Sequence, residues 1–213
     1  MEEKRARGRP REYDPQQALA AALGEFRRRG YTATSLDHLS EATKMARPSL
    51  YAAFGGKLDI YRQAVRQFAE QSAARRAHAL FDEPSLHKGL ERYFGEIVDA
   101  YVSIEGEPLG CPVLSVISGE AAADPEIGAE LAAAVEKTDV QFRHRMKMAA
   151  DAGDIAADAD IAGLAALFAA LQHSLSLRAR AGERRPKLSK IARSHVALAL
   201  KAAGYADFAA RSP

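Results

Sequence analysis

Residues 34–54 read TSLDHLSEATKMARPSLYAAF, and the spacing of their apolar positions decides how the chain is read. Ser35 is a capping residue set directly before Leu36, Leu39 and Ala42, which recur at helical spacing and turn one face inward. A second short segment, Arg47-Pro48-Ser49-Leu50-Tyr51-Ala52-Ala53-Phe54, carries Leu50 and Phe54 four residues apart on a core face. Arg47, Pro48, Ser49 and Tyr51 are thereby left pointing outward at its start, while Ala52 and Ala53 keep its flank slim. Two short helices joined by a few residues behind a longer one make the minimal helix-turn-helix. An outward helix of this kind is thin and polar enough to enter a major groove. Arginine reads guanine bidentately, serine meets bases or phosphate, and Pro48 offers an apolar surface to thymine methyls.

The flanking residues extend this reading. Asp14-Pro15 is a cap followed by proline at the first helical position, and Ala18, Leu19, Ala22, Leu23 and Phe26 follow at helical spacing before Gly30. Thr34 and Ser35 sit at a helix start, where free backbone amides favour phosphate. Lys57 follows Gly55-Gly56 at the next helix start and is a further phosphate candidate. The arm over residues 1–12 holds Lys4, Arg5, Arg7, Arg9 and Arg11, and Arg7-Gly8-Arg9 has the composition of a minor-groove binder. Through residue 57 there are 11 Lys+Arg against 7 Asp+Glu, whereas the remainder has 19 against 21, so the small total of +2 conceals a basic amino-terminal quarter.

The order of these residues carries a resemblance. Phe26, Gly30-Tyr31 and Thr34-Ser35-Leu36, followed by Leu50-Tyr51, Phe54-Gly55, Lys57 and Ile60-Tyr61, is similar to the TetR/AcrR family of bacterial repressors. Gly8-Arg9-Pro10-Arg11 resembles the arm many members carry, and the match spans about residues 8–68. The resemblance implies base and phosphate contacts at Arg47, Ser49 and Tyr51, and backbone clamping at Thr34, Tyr51 and Lys57. Lys44 departs from the pattern, standing at a turn where members commonly have glycine, and Ala46 stands where many have a capping serine. Losing such a cap weakens a helix by ~1 kcal/mol.

The rest of the chain reads as all-α. Asp124-Pro125 repeats the cap-plus-proline signature, Asp158 or Asp160 opens another helix, and the break at residues 182–186 precedes the last. Residues 105–119, with Gly106, Pro108, Gly110 and Pro112, are irregular and fit no single period. The expected architecture is a three-helix head, a linking helix and a helical body. Residues 1–57 form the DNA-binding domain with its arm, and residues 58–213 the ligand-binding and dimerisation domain. Apolar surface on residues 161–175 and 188–200 exceeds what one neighbour would cover, and the resemblance implies that these helices pair with a second copy as a four-helix bundle. Tyr93, Phe94, Tyr101, Phe142, Met146, Phe168, His173 and Cys111 are candidates for an effector cavity, with ordinary core packing the competing explanation for each.

These features imply a homodimeric repressor of palindromic double-stranded DNA, released by a small-molecule effector. Its half-sites would lie about one helical turn apart, ~34 Å, or a multiple of it. Repression rather than activation follows from the resemblance alone. A non-specific architectural DNA protein is the alternative, although that class carries a larger positive excess. An enzyme is the remoter one: the six histidines show no metal-ligand spacing, and there is no Gly-x-Gly-x-x-Gly, P-loop or Gly-x-Ser-x-Gly elbow. No cofactor, metal or catalytic residue is expected. A single cysteine, no apolar run near 18 residues and a charged start without an apolar stretch place the expectation in the reducing cytoplasm, off the membrane.

Overall fold

The computed structural model describes residues 13–102 and 106–205. The arm with Arg7 and Arg9 lies outside the described residues. Nine α-helices are described: α1 (Pro15–Arg29), α2 (Leu36–Thr43), α3 (Arg47–Phe54), α4 (Lys57–Ala77), α5 (Leu86–Tyr101), α6 (Leu114–Ile117), α7 (Pro125–Asp151), α8 (Ile161–Arg180) and α9 (Arg185–Ala202). A π-helical turn, His78–Asp82, follows α4, and among the described residues the sole β element is an isolated bridge between Val102 and Pro108.

The caps read from sequence act as caps. The Asp14 carboxylate accepts from Gln16 N at 2.8 Å, Asp124 from Glu126 N at 3.0 Å, and Asp160 from Gly163 N at 2.9 Å. Each satisfies an amide that a helix start would otherwise leave unpaired. Ser35 accepts from His38 N, and His38 Nδ1 accepts in return from Ser35 N, both at 3.2 Å, which closes a reciprocal box at the start of α2. Helix α3 lacks this support: Ala46 has the extended backbone of a cap but makes no capping bond. Ala46→Ser is therefore expected to stabilise the head by about 1 kcal/mol, seen as a higher denaturant midpoint with unchanged slope. Lys44, with φ 58°, takes the left-handed conformation that glycine adopts most readily, which is why the turn departs from pattern without changing course.

Two apolar cores result. The head core packs Leu19, Leu23, Phe26, Leu39, Met45, Leu50 and Phe54 together, with Phe26 lying 5.3 Å from the Tyr61 ring edge-on and 5.9 Å from Tyr31 in a stack. This core does not stop at residue 57. It takes in Ile60, Tyr61 and Ala64 of α4, Val116 and Ile117 of α6, and Ile127 of α7. A boundary drawn after residue 57 thus cuts through packed side chains. The body core gathers α5, α7, α8 and α9 around Phe94, Phe142, Met146, Phe168, Leu175 and Val196.

Polar clamps fasten the head to the body. Arg27 at the end of α1 is buried, and its Nη2 donates to Ala100 O at 2.9 Å and Gly110 O at 2.8 Å. Arg180 of α8 donates in turn to the carbonyls of Arg27 and Arg28. The Tyr61 hydroxyl donates to Pro112 O at 2.9 Å. The irregular stretch is consequently a junction: Gly110, in the left-handed region at φ 74°, lies so close to α8 that a Cβ there would fall 2.7 Å from Ser176 O. Helix α8 is the one described helix long and apolar enough to span a membrane by length and composition (mean hydropathy 1.2), and a third of that stretch is buried. Phe168, Ala169, Leu171 and Leu175 on it pack into the body core.

Candidate nucleic-acid interface and effector cavity

Helix α3 is held by few atoms and shows the rest. Leu50 and Phe54 are buried, while Arg47, Pro48, Ser49, Tyr51 and Ala52 are exposed, Tyr51 by 51%. Among the large hydrophobic side chains of the head, this exposure is unusual and sits on the outward face of α3 that the sequence singled out. The Arg47 guanidinium is paired with Asp37 of α2, which holds the Asp37 carboxyl below its usual range. Both groups lie in solvent, so the pair is easily exchanged for another partner. Ser35 is exposed at the start of α2, beside this surface.

Two of the expected contacts are placed otherwise. Thr34 is fully buried, and its hydroxyl donates to Gly30 O at 2.7 Å, so the side chain closes the α1–α2 turn and is not offered to a phosphate. Lys57 also points inward. Its Nζ donates to Tyr31 O at 2.9 Å, Thr34 O at 3.0 Å and Thr32 O at 3.4 Å, and sits 4.4 Å from the Tyr31 ring centroid. An ammonium has three N–H donors, and here each has a carbonyl. Partial desolvation lowers the Lys57 pKa accordingly. Lys57 is a staple for the turn rather than a free clamp. The sequence showed a lysine at a helix start; nothing in its spacing showed that three carbonyls, 23 to 26 residues earlier, converge on it.

Behind the head, α4, α5 and α7, with the loop at residues 111–113, line an open-sided cavity of about 380 Å³. Of the eight residues proposed from sequence, Tyr93, Tyr101 and Cys111 line it. Phe94, Phe142, Met146, Phe168 and His173 do not. The four apolar ones of these are fully buried core, with Phe94 stacked on Phe142 at 5.8 Å and Phe168 at 5.8 Å from Phe142. His173 is partly buried on α8, and desolvation lowers its pKa. The Tyr93 hydroxyl donates to Gln172 Oε1 at 2.7 Å, and burial pushes its pKa up to about 12. Cys111, half-buried in the wall, has its thiol pKa raised by desolvation and is protonated at neutral pH, a poor nucleophile. The lining not anticipated from sequence is of two kinds, apolar (Val65, Phe68, Ile97, Val113 and Ile117) and polar (Arg62, Arg66, Arg76, Glu130, Lys137, Thr138, Gln141 and Gln172). Among the described residues, no group of His, Cys, Asp and Glu is arranged to hold a metal ion.

Comparison with known proteins joins these two features. Residues 18–64 match the family model "Bacterial regulatory proteins, tetR family", and residues 89–196 match "Tetracyclin repressor-like, C-terminal domain". The chain belongs to the TetR family. It is 32% identical over 193 residues to the HTH-type transcriptional repressor ComR of Escherichia coli (strain K12), covering 89% of this chain and 90% of ComR. The HTH-type transcriptional repressor BdcR of the same organism is 33% identical over 113 residues, or 53% of this chain and 57% of BdcR. A solved structure of a cysteine mutant of the TetR family transcriptional regulator CifR, complexed with 26-bp double-strand operator DNA, superposes with TM-score 0.78 at 33% identity, covering 89% of this chain and 98% of that one. This TetR-family chain is thus a sequence-specific DNA-binding transcriptional regulator, built as a helix-turn-helix head on a helical body.

Helices α8 and α9 of this TetR-family body carry a second exposed apolar surface. Leu167 of α8 and Leu198 of α9 stand out from the fold, Leu198 by 66%, over a groove lined by Leu171, Ala199 and Ala202.

Proposed function

We propose that this regulator is a repressor that binds palindromic operator DNA as a homodimer and is released when a small molecule occupies the cavity beneath α4. The observation that carries the reading is the presentation of α3: Leu50 and Phe54 anchor it, and Arg47, Pro48, Ser49 and Tyr51 face outward together. Arg47 and Ser49 are assigned to base edges, and Tyr51 and Ser35 to nearby phosphates. The basic arm with Arg7 and Arg9 is assigned to the adjacent minor groove. Lys57 and Thr34 hold the turn that sets the angle of α2 and α3. The repressor names of ComR and BdcR and the operator complex of CifR support the same reading. Such a protein works where the genome is, in the bacterial cytoplasm.

The cavity touches the linking helix directly. Tyr61, Arg62, Val65, Arg66, Phe68, Ala69 and Arg76 of α4 form one wall. An effector that binds one tilt of α4 more tightly than another shifts the spacing of the two heads by that difference in affinity, and by no other means.

Selection of bound sequences from random DNA tests the central claim: an enriched inverted repeat supports it, and enrichment of no repeat sinks it. Arg47→Ala is expected to lower affinity for that repeat roughly tenfold to a hundredfold and to relax selectivity at one position in each half-site. A uniform loss across all sequences would instead assign Arg47 to the phosphate backbone.

A further inference from the structure

We infer that the effector is an amphipathic organic anion: a compact aromatic or aliphatic body bearing a carboxylate, sulfonate or similar group. The inference rests on reading the α4–α5–α7 cavity as the effector site and adds the chemical class. Among the described residues lining it, cations outnumber acids: Arg62, Arg66 and Arg76 on α4 and Lys137 on α7, against Glu130 alone. Glu130 is already engaged, since it accepts from Arg62 Nε at 2.8 Å, and Glu126 outside the lining adds a contact at 3.4 Å to the same arginine. Arg66 and Lys137 therefore bring positive charge to the cavity from α4 and α7, with no lining carboxylate left over for them. Arg76 adds to this from further along α4, and its charge is felt at the Tyr93 and Tyr101 hydroxyls.

The other half of the lining is apolar, with Val65, Phe68, Ile97, Val113 and Ile117. Arg66 and Lys137 are both exposed at the mouth of the cavity, where a cationic ligand would meet like charge from α4 and α7 and a neutral apolar one would gain nothing from either. An anion with an apolar body satisfies both halves, since charge-assisted hydrogen bonds from arginine and lysine are the stronger kind. The volume of about 380 Å³ lies within the ~300–1,000 Å³ of small-molecule sites.

Two fluorescent probes separate charge from shape. 1-Anilinonaphthalene-8-sulfonate carries a sulfonate, and N-phenyl-1-naphthylamine has the same rings without it. Titration of the full chain is expected to show both probes bound, and both lost in Ala134→Trp, which fills the cavity. In the Arg66→Gln/Lys137→Gln double variant, the sulfonate probe is expected to weaken at least tenfold while the neutral probe stays within twofold. Arg66→Lys, which keeps the charge, is expected to retain the sulfonate probe. If the double variant binds the sulfonate probe as the parent does, while Ala134→Trp still abolishes both, the anionic class is overturned and the cavity reading stands. If Ala134→Trp changes neither probe, the cavity is not the site, and the effector reading falls with it. Unchanged helical circular dichroism in each variant keeps misfolding from imitating either result.

Discussion

Leu198→Arg is expected to leave each chain folded but monomeric, and to weaken binding to a palindromic operator at least a hundredfold. Leu198 is the most exposed large apolar side chain among the described residues, and Leu167 stands beside the same groove. A charge there costs the monomer little, because the side chain already lies in solvent. In a face-to-face pairing of α8 and α9 it would be desolvated in both copies without a partner. The consequence for DNA follows from valency. One head offers only a few outward residues on α3, whereas two linked heads make the second engagement intramolecular, which raises avidity by about 10²–10⁴. Light scattering coupled to size exclusion reads the mass, and a gel shift on the selected repeat reads the affinity. A variant that stays dimeric with unchanged affinity would remove α8 and α9 from the interface.

Phe26→Ala carries the largest expected effect on stability, about 3–5 kcal/mol. Phe26 is fully buried and touches the rings of Tyr31 and Tyr61, so its removal leaves a cavity whose walls are fixed by three helices. Set against a typical domain stability of ~5–15 kcal/mol, this loss is about a fifth of the total or more and lowers the melting temperature by several degrees. Operator binding should fall with it. Calorimetry on the parent and variant measures the change, and a shift below about 1 kcal/mol would show that the head does not depend on this ring cluster.

The head was legible in the sequence because its signals are local. Asp14-Pro15, Ser35 and the Leu50–Phe54 pair act within a turn or two of themselves, and the helices begin and turn where these residues direct. Lys57 and Thr34 were legible as residues of the right type, but their partners are carbonyls brought near by folding, and backbone carbonyls have no sequence signature. The body shows the same limit. Phe94, Phe142 and Phe168 at helical spacing announce an apolar interior, and the same spacing serves a packed core and a cavity wall alike. What distinguishes the cavity is the polar face that α4 and α7 turn toward each other. Arg62 and Arg66 one turn apart, with Thr138 and Gln141 three apart on α7, were available as a signal but lie on surfaces ordinarily read as solvated. The loop holding Cys111 could not be assigned by any period, because its course is set by Arg27, Tyr61 and Ser176 reaching in from three other helices.

Tyr61 belongs at once to the head core, to the clamp on Pro112 and to the cavity lining. If the proposed effector binds this cavity, retargeting the protein to a new compound meets the consequence directly. Changes along the α4 wall near Tyr61 will alter recognition and output together, so variants selected for a new inducer there will tend to arrive already locked on or off. The α7 wall, at Thr138 and Gln141, lines the same cavity without sharing a side chain with the head core. Libraries confined to it should separate what the protein senses from how strongly it responds.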